Sequence, residues 1–342
     1  MVMMLTFELS GEHETLPKSE VLACIRALGI EHQVVKSDEQ CLMLNIETDP
    51  RRISRVLAAK LAMTHRIIST IFECGISEPE ILESVRDAEI RVPSGKTFSV
   101  RVKQIQRSSL SSTDLERRIG EAIFEHNVGS RVDLKNPDHS FRLIVTGSSC
   151  IFGEVLASVN RKQFGERKPH KKPFFYPGAI SPEISHSIVN LCEINTNDLV
   201  LDPFCGTGGI LVEAGMLGAR VIGIDVQKSM LRGAEMNLDD YGSEYQLICG
   251  DARNLPIADL TIDAVVTDPP YGRSALVMAE SVESLYKDAL FEIYRVLKRG
   301  GRAAVISDFE LSRAGDAGFA VTEIHAQRVH RSLTRHVTVL SK

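Results

Sequence analysis

The sequence predicts an α/β protein: a C-terminal half built on a mostly parallel sheet, preceded by smaller α+β units. Three observations carry this. From residue 199 onward, short apolar runs alternate with helical patterns. The positions just after those runs hold glycines, aspartates and prolines. Between the halves, residues 160–173 (NRKQFGERKPHKKP) are charged, poor in aliphatics and closed by prolines, which reads as a linker.

Taken in order, residues 3–9 read as a strand, 18–28 behind Pro17 as a helix, 32–35 and 41–46 as strands, and 51–61 as a helix. This gives a first α+β domain over residues 1–61. A second, over residues 62–156, shows helical patterning around 79–85, a strand at 97–103, a helix at 113–124 and a strand at 140–146. Ser112 or Thr113, ahead of Leu115 and Glu116, supplies the start signal of that last helix. The linker is assigned to 157–176 and the C-terminal domain to 177–342. That domain opens with Ser181 as N-cap and Pro182 at the first helical position, then Ile184, Ile188, Val189 and Leu191 at helical spacing.

The C-terminal runs are 199–201, 209–216, 220–224, 229–238, 245–248, 264–266, 282–297 and 303–306. Strand and helix in alternation imply right-handed crossovers and a sheet covered on both faces. Ligands on such sheets bind beyond the carboxyl ends of the strands, so the residues following each run deserve most weight.

Composition narrows the class. The chain has 342 residues, 43% hydrophobic and 25% charged, enough to bury ordinary cores. No apolar run approaches the roughly 18 residues of a membrane helix, and residues 1–10 lack a signal-peptide pattern, so a cytoplasmic protein with no membrane partner is expected. The seven cysteines are single, without a C-x-x-C pair, and His330 and His336 read as ordinary strand or surface residues. No metal is expected. The net charge of -5 hides a lopsided distribution, because residues 91–172 hold 16 Lys and Arg against 8 Asp and Glu. A basic segment inside an acidic protein suits a polyanionic partner.

The chemistry lies at the strand ends. Residues 199–209 (LVLDPFCGTGG) read as a strand, a tight turn and a helix start, with Asp202, Phe204, Gly206, Thr207 and Gly208 around the turn. A plain turn would explain the glycines alone. An acid in front of them disfavours a pyrophosphate and favours a cationic ligand. The next strand ends in Asp225, placed to grip ribose hydroxyls or, alternatively, to cap a helix. The one after closes on Asp251 and Ala252, an acid able to accept from an adenine amino group or an ordinary loop aspartate. Together these describe a pocket for an adenosine with a charged, non-phosphate tail.

The sharpest signal is Thr267-Asp268-Pro269-Pro270-Tyr271-Gly272. Two prolines end the strand ladder and stiffen the turn, since neither has an N–H and both fix φ. Such a turn can aim the Asp268 carboxylate and the Pro269 carbonyl at an exocyclic NH2, while Tyr271 offers a ring for base stacking. The catalytic set is therefore Asp268, Pro269, Pro270 and Tyr271.

LDPFCGTGG followed by DPPYG resembles the Rossmann-like class I methyltransferases that modify nucleic-acid amino groups, which implies S-adenosyl-L-methionine as cofactor. Residues 174–191 (FFYPGAISPEISHSIVNL) look like the segment that covers part of the cofactor in these enzymes, with Pro177 and Gly178 at its turn. DPPYGRS together with HRSLTRHVTVL, residues 330–340, resembles the archaeal tRNA guanosine-10 N2-methyltransferases; His336 is the one departure noticed. Residues 132–156 resemble the closing half of a THUMP domain, which implies a ferredoxin-like domain and a THUMP domain ahead of the methyltransferase domain. Other THUMP proteins, thiouridine synthetases and cytidine deaminases, are set aside because the chain has no S-G-G-x-D-S loop and no H-x-E with P-C-x-x-C. The resemblance implies tRNA as partner, with Arg101, Lys103, Arg107, Arg117, Arg118, Lys171 and Lys172 as phosphate contacts and Arg331 and Arg335 at the base entrance. It implies an enzyme acting without an obligatory protein partner and yielding N2-methyl- or N2,N2-dimethylguanosine. Alternatives are guanosine 6 as target, a DNA adenine-N6 enzyme and a non-catalytic tRNA-binding protein.

Overall fold

The computed structural model describes residues 3–271, 281–311 and 314–342, so Gly272, Arg273 and Ser274 of the proline-rich motif lie outside the described residues. The chain forms two compact units, one of Met1–Pro17, Ile30–Ala59 and Thr64–Asn160, the other of Lys18–Gly29, Lys60–Met63 and Arg161–Lys342.

The N-terminal elements are β1 (Met3–Leu9), α1 (Leu16–Ala27), β2 (His32–Asp38), β3 (Cys41–Ile46), α2 (Pro50–Lys60), β4 (Thr64–Cys74), α3 (Glu78–Asp87), β5 (Thr97–Gln104), α4 (Ser112–Glu125), β6 (Arg131–Val132), β7 (His139–Val145) and β8 (Cys150–Ser158). Their strands make one eight-stranded sheet in the order β2-β3-β1-β4-β8-β7-β5-β6. Residues 1–61 and 62–156 thus share a sheet, because β4 pairs with β1 on one side and β8 on the other. The β4/β8 ladder carries register shifts between Ile67 and Ile68 and between Thr70 and Phe72, which break the two-residue alternation that marks a strand in sequence. At Gly153 any Cβ would collide with the Ser69 backbone, so only glycine lets β8 lie this close to β4.

Helices α3 and α4 bury Ile81, Leu82, Val85, Leu115, Ile119 and Ile123 with Phe98, Phe141 and Phe152 of the sheet. The α4 cap is Ser111, whose hydroxyl accepts from the Asp114 N–H, one residue ahead of the expected Ser112 and two ahead of Thr113.

The second unit continues with α5 (Lys162–Glu166), α6 (Pro182–Leu191), β9 (Leu199–Asp202), α7 (Gly209–Met216), β10 (Arg220–Asp225), α8 (Lys228–Asp240), β11 (Tyr245–Cys249), β12 (Ile262–Thr267), α9 (Val282–Val296), β13 (Leu297–Ser307), β14 (Ala320–His330) and β15 (Leu333–Ser341). Its seven-stranded sheet runs β11-β10-β9-β12-β13-β15-β14. The first five strands are parallel, and β15 is antiparallel to both β13 and β14. The core joins Leu201, Ile222 and Val265 of the strands to Leu290, Ile293 and Val296 of α9. The α6 start is as the sequence predicts in position, with Ser181 as N-cap and Pro182 following, though the serine side chain makes no cap bond.

Residues 160–173, expected to be a linker, are packed instead. Arg167, 4% exposed, donates two hydrogen bonds of 2.9 Å to Glu213 on α7, and His186 Nδ1 of α6 lies 3.0 Å from the same carboxylate. Helix α1 enters this unit through Glu20, which accepts from the Ala62 and Met63 N–H groups at 2.8 Å and from Asn190 Nδ2 at 2.9 Å. No helix among the described residues is long and apolar enough to cross a membrane.

Candidate active site

Every residue of the cofactor-binding and catalytic sets lies at the carboxyl end of a β9, β10, β11 or β12 strand, as a parallel sheet demands. Except for Gly208, all of them line one cavity of about 490 Å³.

The glycine turn leaves β9 and folds back on itself. Gly208 N–H donates to the Cys205 carbonyl at 2.8 Å and Cys205 N–H to the Ile224 carbonyl at 3.0 Å. Gly206 and Gly208 hold φ of 51° and 74°, the left-handed region that glycine occupies without strain. Gly206 lines the cavity and a Cβ there would meet no protein atom within 4 Å, whereas one at Gly208 would press on Ala234 of α8. The two glycines thus serve different ends, ligand space at the first and helix packing at the second.

Asp202 is 1% exposed, and its Oδ1 accepts from Phe204 N–H at 3.1 Å and from the Thr267 hydroxyl at 2.7 Å. Burial pushes its carboxyl up to about 7. Asp225 accepts from Gly206 N–H at 3.0 Å with one oxygen and from Gln227 N–H at 2.8 Å with the other. It braces the glycine turn; the helix N-cap that follows is Gln227, so the capping alternative does not describe it. Burial raises its carboxyl as well. Asp251 faces the cavity with its carboxylate clasped by Arg253 at 2.6 to 3.1 Å, an ion pair that holds it below the usual range. Arg253 is the one Lys or Arg among the described residues lining the cavity. A site with four aspartates and one already-paired cation repels a polyphosphate and suits a cationic ligand.

At the end of β12, burial raises the Asp268 carboxyl to about 6 against the opposing pull of Tyr271 and Arg335. The Tyr271 hydroxyl donates to Asp268 and accepts from Arg335 Nε at 3.1 Å, and Arg335 Nη2 donates to the Gly178 carbonyl at 2.9 Å. Gly178, at φ 94°, closes the turn expected at Pro177-Gly178.

Sequence reasoning gave no role to Thr267, though it opens the proline-rich motif, and did not single out Asn237; both shape this pocket. Thr267, fully buried, joins the β12 end to Asp202 of β9. Asn237 of α8, also fully buried, donates to the Thr207 and Phe174 carbonyls at 2.9 and 3.0 Å and accepts from Phe174 N–H at 2.9 Å, so one amide ties the glycine turn to the segment before Tyr176. A lone asparagine on the inner face of a helix, beside Gly233 and Ala234, was the available signal.

The basic candidates differ in exposure and in partners. Arg101, Arg117 and Arg118 pair with Glu116, Glu121 and Glu78, while Lys103 sits half-buried on β5 and Arg107 is exposed beyond it. Lys171 and Arg331 are exposed in the second unit. Lys172, expected on phosphate, is half-buried beside Gly209, and burial lowers its ammonium. Arg335 does not line the cavity but bonds Tyr271 and Gly178, which do. Among the described residues no group of three or more His, Cys, Asp or Glu gathers as a metal site.

The family described as UPF0020, RMKL-like, methyltransferase domain, matches residues 169–337. A second description, DNA methylase, matches residues 97–236, a stretch that ends before the Asp268 turn. The chain is 36% identical to a tRNA (guanine(10)-N2)-dimethyltransferase of Methanothermobacter thermautotrophicus, over 98% of both chains. It is 38% identical to the enzyme of that name from Pyrococcus abyssi, over 76% of this chain and 79% of the relative. A tRNA (guanine(6)-N2)-methyltransferase of Thermus thermophilus is 28% identical over 80% and 82%. Among solved structures, TrmN from Thermus thermophilus superposes over 99% of both chains with a TM-score of 0.56 at 23% identity. SMU.472 complexed with SAH gives a TM-score of 0.56 at 14% identity, over 99% of this chain and 98% of that one, and both show the fold.

Proposed function

The chain belongs to the tRNA (guanine(10)-N2)-dimethyltransferase family, and from that premise we propose how its residues carry out methylation of the guanosine-10 N2 amino group in tRNA with S-adenosyl-L-methionine. The observation that carries the reading is the Asp268-Pro269-Pro270-Tyr271 turn opening on the same cavity as Asp202, Gly206, Asp225 and Asp251.

The residues fit the cofactor. Gly206 leaves ligand space where any side chain would intrude, Asp225 and Asp251 offer acceptors for ribose hydroxyls and an adenine amino group, and Asp202 adds negative potential for a cationic amino-acid tail. Phe204, Thr207 and Ala252 complete the wall around these groups. When bound, S-adenosyl-L-methionine supplies a methyl on a sulfonium: the N2 lone pair forms the new N–C bond as the C–S bond breaks, and its electron pair leaves on sulfur.

Asp268 and the Pro269 carbonyl accept hydrogen bonds from the two amino N–H groups, which fixes the nitrogen and keeps its lone pair free for attack. The proton that N2 sheds passes to the Asp268 carboxylate, directly or through water. Pro270 keeps the turn rigid, and Tyr271, half-buried at the cavity, stacks on a guanine drawn out of the tRNA. The basic stretch through residues 91–172 grips the tRNA backbone, with Arg101, Lys103, Arg107, Arg117, Arg118 and Lys171 as contacts and Arg331 near the entry. In this reading residues 62–156 act as the THUMP domain, following a ferredoxin-like portion.

The test is incubation with labelled S-adenosyl-L-methionine and an unmodified tRNA transcript, beside transcripts carrying adenosine at position 10 or at position 6 and beside an Asp268→Ala enzyme. Label from wild-type enzyme that vanishes with the position-10 change and with Asp268→Ala is the expected result. Label lost only with the position-6 change moves the target, and tRNA binding without label makes this a binding protein. Nucleoside analysis of the product separates one methyl from two.

A further inference from the structure

Arg335 stands on β15 opposite Gln327 of β14, in an antiparallel pair that fixes where its side chain begins. Its Nε reaches the Tyr271 hydroxyl at 3.1 Å, its Nη2 reaches the Gly178 carbonyl at 2.9 Å, and its guanidinium carbon lies 6.0 Å from the Tyr271 ring centre. A guanidinium donates and never accepts. The Tyr271 oxygen must therefore receive from Arg335, which leaves its single proton for the Asp268 carboxylate it is bonded to. Chemistry thus fixes the direction of the chain from Arg335 through Tyr271 to Asp268. The fork that sets this chain also reaches Gly178, next to Tyr176 and Pro177 of the same cavity wall.

We propose that Arg335 is the positioning residue of the methyl-transfer site: its two-armed fork holds the Tyr271 ring and the Gly178 turn in fixed relation to Asp268, so that an incoming guanine meets a preset stacking face and acceptor. The proposal rests on the reading of Asp268 as the amine acceptor. It differs from a phosphate-binding role, because Nε and Nη2 are already bonded to Tyr271 and Gly178, both of which line the cavity. A lysine cannot reproduce it, since an ammonium is a point donor without the planar fork. The charge matters too. Among the described residues, the groups facing Asp268 are Tyr271 on its own turn, Arg335 from β15, Asp202 from β9 and Tyr286 from α9, and Arg335 is the cation among them. Its loss therefore favours the protonated Asp268 and moves the acid side of the rate profile to higher pH.

The experiment uses the full chain with an unmodified tRNA transcript and compares wild type, Arg335→Lys, Arg335→Gln and Asp268→Asn. It measures kcat and KM for tRNA from pH 5 to 9, tRNA affinity by filter binding, and melting temperature as a folding control. With wild type active and Asp268→Asn inactive, the Asp268 reading stands and Arg335 alone is at issue; an inactive wild type or a fully active Asp268→Asn removes that reading itself. The expected result is a kcat reduced roughly 10- to 100-fold in both Arg335 variants with tRNA affinity within about threefold of wild type, as for misplaced reacting groups. The acid limb should shift upward in Arg335→Gln and stay near the wild-type position in Arg335→Lys. Weakened tRNA binding with kcat intact would make Arg335 a phosphate contact, and an unmoved acid limb in a folded, slow Arg335→Gln would reduce it to a structural residue; either overturns the proposal.

Discussion

Asp202 and Asp268 end neighbouring strands, and burial raises both carboxyls, to about 7 and about 6, yet the consequences differ. In the proposed reaction Asp268 accepts a donor, so methyl transfer should rise with pH through about 6 and level off above it. Single-turnover rates across that range check this, and an Asp268→Asn enzyme should be slower by about 10²-fold or more, with that rise gone. A profile that is flat in the wild type as well would contradict the assignment. For Asp202 the consequence is stability. A carboxyl whose folded pKa exceeds its unfolded one binds more protons when native, so its stabilising contribution is present at low pH and lost as pH rises from about 4 through about 7. Asp202→Asn keeps an acceptor for the Thr267 hydroxyl and carries no charge to bury. Its melting temperature should exceed that of the wild type at about pH 8, with the difference shrinking as pH falls toward about 4. An equal difference at both pH values would show that the buried charge is not the cause.

At the scale of elements, the glycine turn depends on a buried amide of α8, a helix that lines the cavity through Met230. Asn237→Ala in α8 leaves the Thr207 and Phe174 carbonyls and the Phe174 N–H without their partner, at about 1–3 kcal/mol for a buried polar group stranded. The expected outcome is a lower melting temperature together with weaker S-adenosyl-L-methionine binding by calorimetry. A melting change with cofactor affinity untouched would separate the turn from the clamp. The sequence exposes some of these elements and hides others for physical reasons. The alternation from β9 to β13 was legible because each parallel strand is a short apolar run between helical patterns, and the acids at their ends stand directly after those runs. β4 was not, since its register shifts scramble the alternation, and β14, mostly exposed at a sheet edge, has no strong apolar rhythm. Thr267 stands in the proline-rich motif and Asn237 beside two small residues, yet their partners, 65 and 63 positions away, are not marked in a linear string. Arg335 was visible as a site residue but not its partner, because its bond to Tyr271 spans 64 positions and follows from sheet order.

At the scale of the whole molecule, an acidic chain that binds tRNA must do so with a local surplus of cations. Lys103→Gln and Arg107→Gln should each weaken tRNA binding evenly across tRNA species and reduce the slope of log affinity against log salt by about 1. An unchanged slope would remove that residue from the phosphate contacts. The division of the chain carries a second consequence. A boundary at the charged stretch suggests that residues 161–342 fold alone, but the unit they form also contains Lys18–Gly29 and Lys60–Met63. His186 Nε2 and Asn190 Nδ2 both meet the Lys60 carbonyl, at 2.9 and 2.8 Å, and Arg26 of α1 bonds Glu193 at 2.6 Å. A fragment cut at residue 161 loses these partners along with the buried face of α1, stranding buried polar groups beside newly bared apolar surface. It should melt well below the corresponding transition of the full chain and expose protease sites within α6. A fragment as stable as the intact protein would mean that α1 is attached to this unit without supporting it.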